Sequence, residues 1–326
     1  MPLPSSTRPG RLPRAALLVL TAVVLVLLAV PAQAASQTAT DADRPLPAPG
    51  APWFGPQLDW QTDSADDYQE RLGSSAALYG QRVAYPLTPD SRFFLQRLVR
   101  QSAAQGAVPV LSLEPSLPLA ELTEEHAAEL AEELAGLHDE LATTYLLRFA
   151  PEMNGTWYPW SPGVNGTTAA DVVGAWRRVH AVLVKERATN AVLRWSPNVP
   201  FPGSTPMAQL WPGATYVGQV GLDGYNWAGH LPGTTWLSFG DVVGQGLDEL
   251  SALTSLPVHV SETASPEKAL DGTGNKAAWI RDMFASLRDD PRLAGVTWFH
   301  HDKELDWRIT SSPAATAAFR EGLSSR

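Results

Sequence analysis

The sequence predicts a closed (β/α)8 TIM barrel folded as a single domain. Three observations lead there. Eight short apolar runs recur along the chain, spaced on average about 35 residues apart, as strand-plus-helix units require. Several runs are apolar on both faces, which suits parallel strands covered by helices rather than a half-wet antiparallel sheet. Helical patterns fill several of the intervals. An open doubly wound sheet is the structural alternative, but eight alternating units favour closure. A dinucleotide fold is not supported, because no G-x-G-x-x-G follows the first strand.

The elements follow in order. Arg8, Arg11 and Arg14 precede the apolar run "AALLVLTAVVLVLLAV" and then "PAQAA". Ala32 and Ala34 have the small-x-small spacing of a signal-peptidase site, so residues 1–34 read as a signal peptide cleaved after Ala34. The run is near the lower length limit for spanning, which leaves an uncleaved anchor as the alternative. With no cysteine after it, a lipoprotein is excluded. Residues 35–52, polar and then Pro-rich, read as a flexible lead-in. The barrel occupies 53–326, and the roughly 290 residues that follow the signal peptide are enough for one such domain.

Its strands are expected at "WFGPQLDW" near 53, "AALYGQRVAY" near 76, "VPVLSL" at 108 and "TYLLRFA" at 144. The other four are "AVLRWSPN" at 191, "YVGQVGLDGY" at 216, "LPVHVSE" at 256 and "AGVTWFHH" at 294. Helices are expected over 123–142, with Leu130, Leu134, Leu137 and Leu141 on one stripe. They are also expected over 169–188, with Val172, Trp176, Val179 and Leu183, and over 275–290, with Trp279, Ile280, Met283, Phe284 and Leu287. Helices in the first two units have no clear pattern.

A net charge of −10 argues against nucleic acid or an anionic membrane surface as partner. No cysteines in an exported protein mean that packing alone must stabilise it. Twelve tryptophans exceed what a core needs, and rings with polar edges also suit a ligand with flat apolar faces.

In such a barrel, function collects where strands end at their C-terminal side. The fourth strand ends in Arg148, Glu152 and Asn154, within "RFAPEMNGTWYPWSP". The sixth ends in Asp223, Tyr225 and Asn226, the seventh in Ser261, Glu262 and Thr263, and the eighth in Trp298, His300, His301 and Asp302. Strand alternation sets Arg148 and Glu152 on one side, and Val258, Val260 and Glu262 likewise, provided each segment stays extended. Glu152 and Glu262 lie about three β/α units apart. Two carboxyl groups converging at roughly 5 to 5.5 Å suit retaining glycoside hydrolysis. No metal or organic cofactor is needed for that chemistry.

"RFAPEMNGTWYPW" resembles the acid/base segment of glycoside hydrolase family 26 in clan A. "WSPN" (195–198), "VGLDGYNW" (220–227), "SETAS" (261–265), "NKAAWI" (275–280) and "DWRI" (306–309) resemble further family segments in the same order. The resemblance covers about Ala107 to the C-terminus, and more weakly the region from Trp53. It implies a retaining (β/α)8 hydrolase, in most members an endo-acting β-mannanase and in some an enzyme of mixed-linkage β-glucan or β-1,3-xylan. By that resemblance Glu152 is the general acid/base and Glu262 the nucleophile. Tyr225 hydrogen-bonds the nucleophile, Trp298 lies under the sugar at the cleavage point, and Trp157 and Trp160 form the aromatic wall. The family's mannanases carry histidine before the acid/base, where this chain has Pro151. Proline there removes an N–H and stiffens φ, which fixes the direction of Glu152.

Other residues have plainer readings. Arg148 is a ready partner for Glu152. Trp176 and Trp279 fall on helical stripes and read as core. Trp195 and Trp211 are uncommitted, whereas Trp157, Trp160, Trp227 and Trp298 sit beside loop signals. His300 and His301 point to opposite strand faces and lack a spaced third ligand, so no zinc site is expected. Glu114 lines the cleft or caps the next segment with equal weight. The sequons at Asn154 and Asn165 carry little weight.

The expectation is a secreted retaining endo-β-glycosidase acting on β-mannan or mixed-linkage β-glucan. Its candidate substrate contacts are Arg148, Asn154, Trp157, Trp160, Asp223, Tyr225, Trp227 and Trp298. Its partner is a polysaccharide or oligosaccharide, with no nucleic acid, no stable membrane insertion after cleavage, and a monomeric state. The alternative is a non-catalytic carbohydrate-binding or cell-surface polysaccharide assembly protein on the same barrel.

Overall fold

The computed structural model describes residues 52–188 and 190–324. The signal-peptide reading of 1–34 and nearly all of the lead-in lie outside them. Eight parallel strands close into one barrel in sequence order: β1 (Trp53–Leu58), β2 (Leu78–Tyr85), β3 (Val108–Pro115), β4 (Tyr145–Phe149), β5 (Ala191–Trp195), β6 (Gln219–Asp223), β7 (Val258–Thr263) and β8 (Leu293–His300). Each overlaps one of the eight apolar runs, with β3, β7 and β8 reaching one or two residues beyond theirs.

Helices α1 (Ala65–Leu72), α2 (Pro89–Ala104), α3 (Glu124–Leu141), α4 (Ala169–Lys185), α5 (Met207–Leu210), α6 (Phe239–Leu253), α7 (Lys276–Asp289) and α8 (Pro313–Ser324) lie between and after the strands. Their starts are chemically marked. Ser64, Thr88, Thr123, Thr168, Ser238 and Asn275 each accept a backbone N–H from the first turn, which satisfies a donor the helix cannot. Leu130, Leu134 and Leu137 are buried along α3, and Trp176 and Trp279 are buried on α4 and α7. Leu141 is only partly buried against the core. The fifth unit departs from the pattern, because α5 is a single turn.

Most of the core lies between the strands and the helices. A separate cluster of Leu78, Val110, Leu146 and Val192 packs across β2 to β5, with Trp53 against it. Above that apolar layer the barrel interior turns polar. Gly221 and Gly295 make room for it. A Cβ on Gly221 would strike the hydroxyls of Ser196 and Ser261, and one on Gly295 would strike the backbone oxygen of Trp53 and meet His259 Nδ1 at 2.7 Å.

Candidate active site

Glu152 does not sit on an extended strand. β4 ends at Phe149, after which Ala150 and Glu152 both take positive φ, 47° and 53°. The left-handed region is unfavourable for residues with a Cβ, so something must hold the turn. The Ala150 N–H donates to the Leu113 carbonyl (2.9 Å), and the Glu152 N–H donates to the Ser196 carbonyl (2.8 Å). The carbonyl of Pro151 accepts from Trp160 Nε1 at 2.9 Å. The alternation argument for Glu152 therefore fails, and neighbouring strands deliver the side chain instead.

Glu262 departs from alternation as well. His259 faces the interior, where its ring shares a 2.9 Å hydrogen bond with Thr297 Oγ1, and Ser261 faces it against Gly221. Regular pleating would thus turn Glu262 outward with Val260. Instead the register shifts between Leu222 and Asp223, so that Asp223 pairs with Glu262. Such irregularities re-aim a side chain beside a site, and here the carboxylate turns into the cleft.

Arg148 is not the partner of Glu152. Its guanidinium, fully buried, donates to Glu262 Oε1 (2.7 Å), to Ser112 Oγ (2.8 Å) and to Asp223 Oδ2. Ser196 Oγ supports Asp223 from the other side at 3.0 Å. The Tyr225 hydroxyl donates to Glu262 Oε2 at 3.0 Å. Glu152 receives a 3.3 Å hydrogen bond from Trp157 Nε1.

These surroundings push the two glutamates apart. Burial raises Glu152, and the negative charge of Glu262 raises it further. Arg148 recovers only part, and its pKa reaches about 7. Burial alone would raise Glu262 too, but Arg148 and Arg82, with the hydrogen bonds from Arg148 and Tyr225, bring it below the ordinary carboxylate value. Burial and the adjacent carboxylates keep the proton on Tyr225, so its hydroxyl remains a donor. A neutral acid and an anionic carboxylate face one cleft.

That cleft, about 300 Å³, is lined by Glu152, Glu262, Trp157, Tyr225 and Trp227 among the expected residues. Arg148 and Asp223 are buried and absent from that lining; Arg148 holds Glu262, and Asp223 holds Arg148. Three expected contacts lie elsewhere. Asn154 is fully buried and ties two loops together, donating to the Asn198 carbonyl and accepting the Asn198 N–H. Trp160 is buried behind Tyr158, stacked on it at 4.2 Å. Trp298 is fully buried and packs edge-on against Trp279 of α7 and Phe319 of α8, so it faces the helices and not the sugar.

Several lining residues escaped the sequence reading: Arg82, Tyr158, Asn198, Phe299 and Trp307. Trp307 stands in the "DWRI" segment and presents its ring beside Tyr225 (5.5 Å) and Trp227 (5.2 Å). Position in that segment was the available signal. Arg82 comes from the weakly patterned second unit and gave none. Glu114 neither lines the cleft nor caps a segment; it accepts from Arg82 Nε at 2.5 Å, while Arg82 Nη2 donates to the Tyr158 hydroxyl at 2.9 Å. His300 is buried and accepts the Ile309 N–H at 2.8 Å, and His301 stacks on Phe299 at 4.3 Å. Among the described residues no cluster of three or more potential metal-binding side chains occurs.

A parallel (β/α)8 barrel with two buried glutamates facing one aromatic-walled cleft is an arrangement that suits carboxylate-pair chemistry. The model for glycosyl hydrolase family 26 matches residues 117–247, which include Glu152 and Asp223. Endoglucanase H of Acetivibrio thermocellus is 35% identical over 182 residues, 54% of this chain and 20% of that protein. The chain thus matches about a fifth of the length of that curated relative. The catalytic domain of the Bacillus sp. JAMB-750 endo-β-1,4-mannanase superposes with a TM-score of 0.61 at 21% identity, covering 83% of this chain and 85% of the other. A modular endo-β-1,4-mannanase from Cellulomonas fimi superposes with a TM-score of 0.61 at 18% identity, covering 83% and 70%. At those identities the superpositions establish the fold.

Proposed function

We propose that the chain is a secreted, retaining endo-β-glycosidase, exported through residues 1–34, with Glu152 as acid/base and Glu262 as nucleophile. The observation that carries this reading is the opposed pair of carboxyl groups in one cleft, Glu152 raised to about 7 and Glu262 lowered.

Glu152 donates its proton to the glycosidic oxygen while Glu262 attacks the anomeric carbon, and the leaving sugar departs as an alcohol. Arg148 and Tyr225 hold the two oxygens of Glu262 and fix its direction of attack. Esterification then removes the charge of Glu262. With it goes part of what raised Glu152, so the second carboxyl becomes a carboxylate when a base is needed. Glu152 takes the proton from the incoming water, and the ester is released with net retention.

The substrate class we assign is a β-linked polysaccharide, β-mannan or mixed-linkage β-glucan. The names of the endoglucanase and mannanase relatives favour a β-1,4-linked hexose backbone. Pro151, where the family's mannanases carry histidine, makes the glucan arm worth equal testing. Glu152→Gln and Glu262→Gln are each expected to lower turnover by about 10²- to 10⁴-fold or more, while glycan binding persists. Assay on mannan, lichenan, β-1,3-xylan and cellulose, with NMR of the first-formed anomer, checks both outcomes. A wild type that hydrolyses none of them, yet binds, would favour a carbohydrate-binding role instead.

A further inference from the structure

We propose that Lys276 is a positioning residue that, together with Trp298, seats Trp307 in the cleft wall; its kinetic consequence rests on the glycosidase reading above. Lys276 opens α7 and is fully buried. Its ammonium donates to the Asp306 carbonyl (3.2 Å), the Arg308 carbonyl (2.7 Å) and Ser311 Oγ (2.8 Å). The carbonyl between those two, that of Trp307, accepts from Trp298 Nε1 at 2.7 Å. Three successive carbonyls, 306 to 308, are therefore gripped by two side chains, and the ammonium lies 5.6 Å from the Trp298 ring.

A lysine in a dry interior is costly unless its donors are used. Here all three protons have acceptors, and Ser311 Oγ in turn donates to Glu267 Oε1. An apolar residue would pack in the same space, but it could not hold this loop. The grip lies on the loop that carries the Trp307 ring, and the backbone N–H of Trp307 also donates to the His301 carbonyl at 2.9 Å. With the backbone fixed on both sides of it, the indole has one orientation against Tyr225 and Trp227. Trp298 and Lys276 thus support from behind a ring that is itself almost fully buried and reaches the cleft lining beside Tyr225 and Trp227.

The test is a double-mutant cycle on the full chain, with hydrogen exchange as an independent readout. Lys276→Met keeps much of the volume and removes every donor. In folded protein its kcat/KM on the best β-glycan should fall about tenfold to a hundredfold, as small misplacements near reacting atoms do. Trp307→Ala should cause a loss of at least that size. In the Trp307→Ala background, adding Lys276→Met should cost no more than about twofold, the non-additive behaviour of residues acting as a unit. Amide exchange at 305–309 should speed up in Lys276→Met without substrate. Wild-type kcat/KM in Lys276→Met, a cost that persists in full without the Trp307 ring, or unchanged exchange would each overturn the proposal. If the wild type cleaves no β-glycan, the glycosidase reading fails while the exchange result still decides the seating. If Lys276→Met does not fold, Ser311→Ala, which removes one acceptor, must speed exchange at 305–309 in the same direction. Unchanged exchange there overturns the proposal.

Discussion

A carboxyl group that keeps its proton up to about pH 7 must lose it as the pH climbs further, and an acid that has lost its proton cannot assist a leaving group. Activity should therefore fall along an alkaline limb governed by Glu152, and along an acid limb below the usual carboxylate range, where Glu262 becomes protonated. Because the negative Glu262 is one cause of the raised value, Glu262→Gln should move Glu152 back toward an ordinary carboxylic acid. Carboxyl ¹³C chemical shifts across a pH titration read this directly, and an unmoved Glu152 would mean burial alone sets it. The stability sign is opposite to that of a salt-bridged acid. The folded state binds this proton more tightly than the unfolded chain, so the stabilising contribution is present at low pH and is lost as the pH rises through the folded value. Glu152→Gln should accordingly gain on the wild type in melting temperature as the buffer is made alkaline. At this scale the identities of both glutamates were legible in the sequence, since motif and strand end coincided. Their directions were not. Glu152 is aimed by two left-handed residues, Ala150 and Glu152 itself, and Glu262 by a register shift against Asp223. Neither has a local signature.

At the scale of elements, the strands were legible because their runs are apolar and short, and α3, α4 and α7 because each carries a stripe. The single turn of α5 and the short α1 bury too little surface to mark the sequence with a period. Trp298 and Trp307 are instructive: both are buried tryptophans near the end of the eighth unit, but of the two Trp307 lines the cleft. What decides between them is the packing of α7 and α8 on the outer face of β8, which Trp298 fills and Trp307 does not. Pairing of β8 with β1 imposes its own restriction at Gly295, whose partner is Trp53. Gly295→Ala would press a methyl into the Trp53 backbone oxygen and the His259 ring. It should cost about 1–3 kcal/mol or more in urea unfolding; a neutral result would mean that the interior layer is looser than these contacts imply.

The whole molecule stabilises itself without a cysteine, and the upper half of its barrel is filled with charge rather than hydrocarbon. Two arginines occupy that interior in different company. Arg148 serves Glu262, Asp223 and Ser112, whereas Arg194 donates to the Gln219 amide oxygen through Nε and Nη2; among the described residues Arg148 Nε and Arg194 Nη1 each have no acceptor. Burial and the like charge of Arg148 depress Arg194 to about 9. Removing one partner of a buried ion pair typically costs about 3–5 kcal/mol, because the other charge is left uncompensated, whereas Arg194 is hydrogen-bonded to a neutral amide and its loss strands no carboxylate bonded to it. Arg148→Met should therefore lower the melting temperature far more than Arg194→Met, and comparable losses in thermal unfolding would refute this ranking. Closure of the barrel was legible from the count of units, but this polar filling was not, because it needs strands distant in sequence to set glycines opposite side chains. The left-handed turn at Glu152 and the shifted register at Glu262 have a mechanical consequence as well. Each breaks the rule that would tie a side chain's direction to the pleat of its own strand. The reacting geometry is thereby shared among several strands. The turn at Glu152 hangs from the carbonyls of Leu113 on β3 and Ser196 just after β5, and Glu262 is held by Arg148 on β4 and Tyr225 just after β6, so a small slip of one strand is opposed by the others.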